Sequence, residues 1–437
     1  MNKYDAIVIG SGHNGLASAV VLAKAGWKVL VVEKAEIPGG ASKSSEITQK
    51  GFIHDLYATN IGSFLGGPFY REFGSEMEKH GFSTVFSEKP FANVFPDQTG
   101  IGVYKDAEKT NNEFKKLSDH DYKAWEQLKA DFDDAVPYLL PLMEMELPSW
   151  KAGKQLFKMY RNLKYKKTME LGSLILQSSR EFVETRFESE KARALFTPWA
   201  FHLDFGPDVS NGAVFPYIEV VANHRNGMGF AKGGISNMIN SIIEIIKSYN
   251  GDVILGTSVD KILVENNKAT GVRLSDGQEF YANKAVIGNI TPHQLITKLL
   301  VKEDLPSKYV QKAENYRFGP GTMMIHLALS DKLEWNAGEE YSSFAYVHIG
   351  PYTNDIAKTY TQATSGILPD SPMLVVGQQS AIDSTRAPEG KHTLWVQVRA
   401  LPAVVKGDAL NEIQPGHWDD IKLESRETYD SGYYFLS

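Results

Sequence analysis

The chain opens on a short apolar run, Tyr4-Asp5-Ala6-Ile7-Val8-Ile9, too brief for a helix and rich in the β-branched residues of a buried strand. Glycines interrupt it between Gly10 and Gly15. Leu16 to Gly26 then repeats apolar residues at helical spacing. A second apolar run, Lys28 to Val32, ends on Glu33 and predicts a parallel partner strand. Strand, helix and strand together read as one βαβ unit.

Further along, the period changes twice. Val94-Phe95-Pro96-Asp97 and Gly100 to Tyr104 predict short strands, and Asn112 to Glu190 is mostly helical, with apolar residues three and four apart. From Gly229 the strands return. Lys232-Gly233-Gly234-Ile235 opens an apolar helix over Met238–Tyr249, followed by runs at 253–257 and 259–264. Glu265-Asn266-Asn267-Lys268 predicts a hairpin into 269–274, Asp276-Gly277 a second turn, and Lys284 to Asn289 another strand. Met323 to Leu329 and Thr393 to Val398 alternate like strands with one buried face.

The glycine turn carries the chemistry. In Gly10-Ser11-Gly12-His13-Asn14-Gly15, the first glycine permits a tight exit from the strand. The second leaves room for a diphosphate, and the third lets helix and strand pack closely. The exposed N–H groups at the start of that helix attract phosphate oxygens. Glu33, one strand later, stands where an acid accepts hydrogen bonds from an adenosine ribose and repels a 2′-phosphate. The bland alternative is a glycine-rich turn of an unrelated α/β domain. Soon after, Lys34-Ala35-Glu36-Ile37-Pro38-Gly39-Gly40-Ala41-Ser42 brings a second glycine pair. That pair suggests another backbone approach to the same diphosphate, as in proteins that bury extended FAD, or else an ordinary strand-to-loop turn.

These segments, with Gly51-Phe52-Ile53-His54-Asp55-Leu56, resemble the phytoene-desaturase-related FAD oxidoreductases. The His13-Asn14 pair is most similar to the branch of pyridine nucleotide-disulfide oxidoreductase domain-containing protein 2. The resemblance returns at Lys232–Ile235, at Ser258–Ile262 and at Asp383-Ser384-Thr385-Arg386-Ala387-Pro388-Glu389-Gly390-Lys391-His392, and so reaches about Trp418. It implies an α/β fold: a Rossmann-type FAD-binding domain of the two-dinucleotide-binding-domain flavoproteins, interleaved with an α+β substrate domain. The expected division is 1–75 with 229–293 for FAD, 76–228 with 294–418 for substrate, and an atypical tail at 419–437. The expected cofactor contacts are Gly10, Ser11, Gly12, His13, Asn14, Gly15, Glu33, Lys34, Gly39, Gly40, Ala41 and Ser42. The resemblance adds the backbone around Val259, against the adenine. The implied reaction is hydride transfer between flavin N5 and an apolar polyene, isoprenoid or acyl-like substrate. A flavin-dependent isomerase or hydratase, and a non-catalytic nucleotide-binding protein, are the alternatives. The last bears on a departure from the pattern: the family's C-terminal glycine-rich segment is not found in the tail, as if the reading frame were shortened.

Composition narrows the field. There is no cysteine, which removes dithiol redox chemistry, thiolate-held metals, cysteinyl flavin and disulfides. No metal site is expected. A net charge of −7 argues against general nucleic-acid binding. No run approaches a spanning helix, and Met1-Asn2-Lys3 leads straight into a strand, so residence in the cytoplasm is expected. Between 136 and 167, apolar residues alternate with Lys151, Lys154, Lys158, Arg161, Lys164, Lys166 and Lys167. Such a mixture either lies peripherally on an anionic bilayer or is a solvated helix whose apolar stripe is core. No catalytic base stands out. His54 reads as a proton shuttle or as a satisfied surface or loop histidine, while Arg225 and Asp204 read as salt-bridge or solvated residues.

Overall fold

A computed structural model describes residues 3–421, so most of the tail at 419–437 lies outside the described residues. The chain divides into two compact units. The first comprises Met1–Val85, Gly229–Phe318 and Asp383–Thr393. The second comprises Phe86–Met228, Gly319–Ile382 and Leu394–Ser437.

In the first unit the opening strand is Lys3–Ile9 and the helix is His13–Lys24. The helix starts three residues before the apolar periodicity does, because its first turn is made by the glycine loop. It stops at Lys24, and Gly26 at φ +84° turns the chain back. A six-stranded sheet runs in the order 259–265, 268–274, 279–288, 3–9, 29–32, 252–254. Its last four strands are parallel neighbours, and the first three form an antiparallel meander. The predicted hairpin forms with Asn266 and Asn267 both at positive φ, 49° and 61°, as a tight two-residue turn requires. Val29–Val32 is buried on both faces. The Ser236–Ser248 helix covers one of them with Ile239, Ile242 and Ile246.

The second unit is built on another six-stranded sheet, ordered 321–329, 392–401, 374–377, 346–349, 91–94, 100–103. Register assigns its two faces different jobs. Ala92, Val347, Val376 and Val396 stand in one row and belong to an apolar core. Asn93, His348 and Gln397 occupy the next row, on the opposite face. The helix Asp119–Met143 lies antiparallel to the segment Trp150–Leu176, two helices that meet at a kink at Lys164 (φ +62°), with Gln155 bonded to the Pro137 carbonyl and Lys167 to Asp134. Of this segment only Ala152, Met159, Leu171 and Leu174 are buried. Leu156, Phe157 and Tyr160, which the core reading would place inside, are exposed. Among the described residues no helix is long and apolar enough to cross a membrane.

Candidate functional site

The strand Lys3–Ile9 lies between Val29–Val32, which follows it in the chain, and Glu279–Gly288, which comes far later. Chain direction around the sheet therefore reverses at its carboxyl end. That is where an open parallel sheet leaves a crevice for ligands. The glycine turn leaves the strand at this point. Gly10 has φ +94°, and a Cβ there would lie 2.7 Å from the Asn289 carbonyl oxygen. Gly12 is the residue before the helix. Leu16 N donates to Gly12 O at 3.0 Å, so the N–H groups of His13, Asn14 and Gly15 precede the first intrahelical bond. A Cβ on Gly15 would meet the Gly10 oxygen at 2.7 Å.

The second glycine pair comes back to the first. Gly12 and Gly39 form a parallel bridge, and a Cβ on Gly40 would stand 3.2 Å from the Gly12 Cα. Two stretches of bare backbone thus lie against each other at the head of the helix. Ser11 ties them to the acid: its N–H and hydroxyl both donate to Glu33 Oε2 at 2.8 Å, and its oxygen accepts from Gly39 N at 3.1 Å. Glu33 Oε1 accepts from Ala35 N at 3.0 Å. Burial raises the Glu33 carboxyl, but the N–H bonds from Ser11 and Ala35 and the Ser11 hydroxyl outweigh it. The group stays below the usual carboxylate range. An ionised acceptor is held rigidly one strand from a cluster of N–H donors, which fits a dinucleotide.

The other expected contacts sit around this centre at different depths. Ser42 is buried and closes the second turn, its N donating to Gly39 O at 2.9 Å. His13, Asn14, Lys34 and Ala41 are exposed. Val259 is half-buried and begins a strand two residues after Thr257, whose N–H donates to the Glu33 carbonyl at 3.1 Å. Asn289 escaped the sequence reading of the loop. Its side-chain N donates to the carbonyls of Gly10, at 3.4 Å, and Gly12, at 3.3 Å. The available signal was its place directly after the strand that neighbours Lys3–Ile9.

A buried ionic staple joins three distant segments of the same unit. Arg386 is fully buried, with Nη1 3.0 Å from Asp55 Oδ2, Nε 3.0 Å from Asp383 Oδ2, and Nη2 donating to Ala231 O at 3.0 Å. Asp55 also accepts from Ser44 Oγ, Thr59 Oγ1 and Ile235 N, and Asp383 from Gly233 N, Thr385 N and Thr385 Oγ1. For Asp383, burial raises the carboxyl while the bonds from Thr385, Gly233 and Arg386 lower it, and the lowering prevails. The staple fixes the turn that opens the Ser236–Ser248 helix against the Ser44–Asp55 loop. His54, beside it, is buried and bonded to Thr48, neither a surface nor a loop residue; it lies in a two-residue strand. In the second unit, Arg225 pairs with Asp133 at 2.7 Å, and Asp204 lies 3.7 Å from Arg399.

Comparison with known proteins places this geometry. The family described as flavin containing amine oxidoreductase matches residues 15–415. A 4,4'-diapophytoene desaturase (4,4'-diapolycopene-forming) of Methylomonas sp is 24% identical over 402 residues, covering 91% of this chain and 73% of that protein. The chloroplastic prolycopene isomerase of Daucus carota is 24% identical over 399 residues, covering 90% of this chain and 61% of that protein, so the chain spans about three fifths of that relative. In fold, an oxidoreductase from Methanosarcina mazei superposes with a TM-score of 0.57 at 19% identity, over 98% of this chain and 82% of that one. With a family match across most of its length, the chain belongs to the flavin-containing amine oxidoreductase family, as a flavin-dependent oxidoreductase of the phytoene-desaturase-related kind.

Proposed function

We propose that the flavin is FAD and that the reaction is hydride transfer to or from a C–H bond of an apolar substrate, polyene, isoprenoid or acyl-like. The observation that carries the cofactor reading is the meeting of Gly12 with Gly39 and Gly40 above an ionised Glu33. The N–H groups of His13 and Asn14 would hold the diphosphate, the bare edges of Gly12 and Gly40 admit it, and Glu33 would orient the ribose. A bound flavin supplies a hydride acceptor and donor at N5. The protein's own part is to position that group. Asn289 and Ser11 lock the loop before any ligand arrives, so little ordering remains to be done on binding.

The substrate class is supported by the names of the matched relatives, which include a diapophytoene desaturase. The match to a prolycopene isomerase favours a second reading, isomerisation of the same kind of substrate without net oxidation. One experiment tests both. Purified protein titrated with FAD should turn yellow, and an apolar polyene added without air should bleach the flavin bands. A product of unchanged mass with the bands intact points to isomerisation. Protein that stays colourless with excess FAD refutes the cofactor reading.

We also infer that the kinked helical segment Trp150–Leu176 rests on an anionic bilayer. It carries seven Lys or Arg against one Glu in a chain of net charge −7. Trp150, Phe157 and Tyr165 expose 80%, 67% and 67% of their surface. Among the described residues, Lys151, Lys154, Lys158, Arg161 and Lys164 have no carboxylate within 4.0 Å. Cations interleaved with exposed aromatics suit the headgroup region.

A further inference from the structure

The polar face of the second sheet gathers a knot of side chains that neither the flavin nor the bilayer reading uses. Trp199 and His202, at the Thr197–Phe201 helix, stack with ring centres 4.6 Å apart. The His348 ring, on the Tyr346–Ile349 strand, lies 5.5 Å from Trp199 and 5.9 Å from His202. Arg399, on the 392–401 strand two places along the sheet, donates to the Phe201 carbonyl and lies 3.7 Å from Asp204. Among the described residues, four buried atoms of this knot have no hydrogen-bond partner: Trp199 Nε1, His202 Nε2, His348 Nε2 and Arg399 Nε. Buried polar atoms are nearly always satisfied, so four together call for an occupant.

The hydrogen-bond roles specify that occupant. Asn93 spends its side-chain N–H on the Ala194 carbonyl, so its Oδ1 faces His348 Nδ1, 3.0 Å away, and must accept from it. His348 Nδ1 therefore carries the proton, and Nε2 presents a lone pair. Burial, and then Arg399, push the His348 pKa down to about 3, so the ring stays neutral. Trp199 Nε1 and Arg399 Nε can only donate. The knot thus offers one fixed acceptor, two donors and, in His202 Nε2, an atom that the ring's tautomer makes either, beside Asp204, whose side chain is 44% exposed. A carboxylate has no proton for His348, and a hydrocarbon satisfies nothing. An O–H group does both, donating to His348 and accepting from Trp199 or Arg399.

We propose that this knot is a hydroxyl-binding subsite that takes the alcohol end of an otherwise apolar molecule. It refines the substrate class proposed above, and its test needs no turnover. Flavin-loaded protein, its flavin content read by absorbance in the same sample, is titrated calorimetrically with geranylgeraniol, the matching hydrocarbon and the matching acid. The alcohol should bind about tenfold tighter than either, because a site built for a hydroxyl rejects analogues that leave its polar atoms unpaired. Trp199→Phe and His348→Phe should each cut that preference severalfold while the hydrocarbon affinity holds. Trp199→Phe keeps the ring and guards against a folding artefact at His348. Equal affinity for alcohol and hydrocarbon, or a preference untouched by both substitutions, overturns the proposal. So does a crystal structure in which an ordered water bridges the knot and remains when the alcohol is present. Loss of flavin with the alcohol preference retained would refute the cofactor reading and leave this one standing.

Discussion

Replacing Arg386 by Met removes the cation of the staple while keeping most of its volume. The guanidinium contacts Asp55 and Asp383 at 3.0 Å each and donates to the Ala231 carbonyl. All three acidic and basic side chains are nearly or fully buried. Breaking a buried pair from one side typically costs 3–5 kcal/mol, mostly because a charge is left unpaired. Here each carboxylate keeps three other donors, which places the expected loss near the low end, about 3 kcal/mol. In a domain of this size that corresponds to roughly 6–12 °C in Tm. Urea unfolding with an unchanged slope should report it, and hydrogen exchange should show Ile53 and Ile235 amides opening first. Without the cation, the buried Asp383 carboxylate loses the ion pair that helps hold it down, and burial then lifts its folded pKa above the unfolded one. A raised carboxyl stabilises the fold only below the unfolded pKa, about 3.9, and that contribution fades as pH rises. The deficit relative to wild type should therefore shrink as pH is lowered from 7 toward 4. A loss under about 1 kcal/mol, or a deficit indifferent to pH, would put the staple on a par with a surface pair and refute the reasoning.

Two glycines at the loop should separate binding from folding. A Cβ on Gly12 meets only the end of one side chain, the Asn289 amide at 2.9 Å, whose two loop bonds are the most it can disturb, so Gly12→Ala should still fold and should lose flavin, read as the ratio of flavin to protein absorbance. A Cβ on Gly15 meets backbone at 2.7 Å, so Gly15→Ala should cost about 1–3 kcal/mol in thermal unfolding as well. Glu33→Gln should weaken FAD by about 2 kcal/mol, near thirtyfold in Kd by fluorescence titration, as the charge behind the ribose contacts is lost. The lowered Glu33 carboxyl stabilises the wild type above about pH 4.5, and the advantage over Glu33→Gln should vanish as pH falls below that value. Converting Lys151, Lys154 and Lys158 to Ala should reduce partitioning onto phosphatidylserine vesicles by about 3 kcal/mol, roughly 150-fold by sedimentation, with less effect in high salt.

What could be read before the structure was known follows from how far apart the interacting residues lie. Gly10, Gly12, Gly15 and Glu33 lie within one βαβ unit, so spacing alone suggests the roles proposed for them. Gly39 and Gly40 are close enough in the chain for their return to Gly12 to be guessed. Asn289 reaches Gly10 across 279 positions, and His348 reaches Asn93 across 255. No local pattern marks such partners; the order of strands and the register of the sheet choose them. Arg386 shows the same limit from the other side. Its segment carries the family resemblance, yet nothing in Asp383-Ser384-Thr385-Arg386 says that the arginine is buried rather than solvated. Composition predicts the opposite, since arginine is seldom buried unless paired. The pairing acid, Asp55, follows a histidine that itself reads as a surface or loop residue. Periodicity finds an apolar face but not what lies against it, as Phe157 and Met159 illustrate. Both fit a helical stripe; Met159 is buried and Phe157 is 67% exposed, because the facing Asp119–Met143 helix covers only one side. Local chemistry is thus legible where nearby residues in the chain assemble it. It is hidden where topology brings the side chains together, and the staple and the His348 knot both belong to the second class.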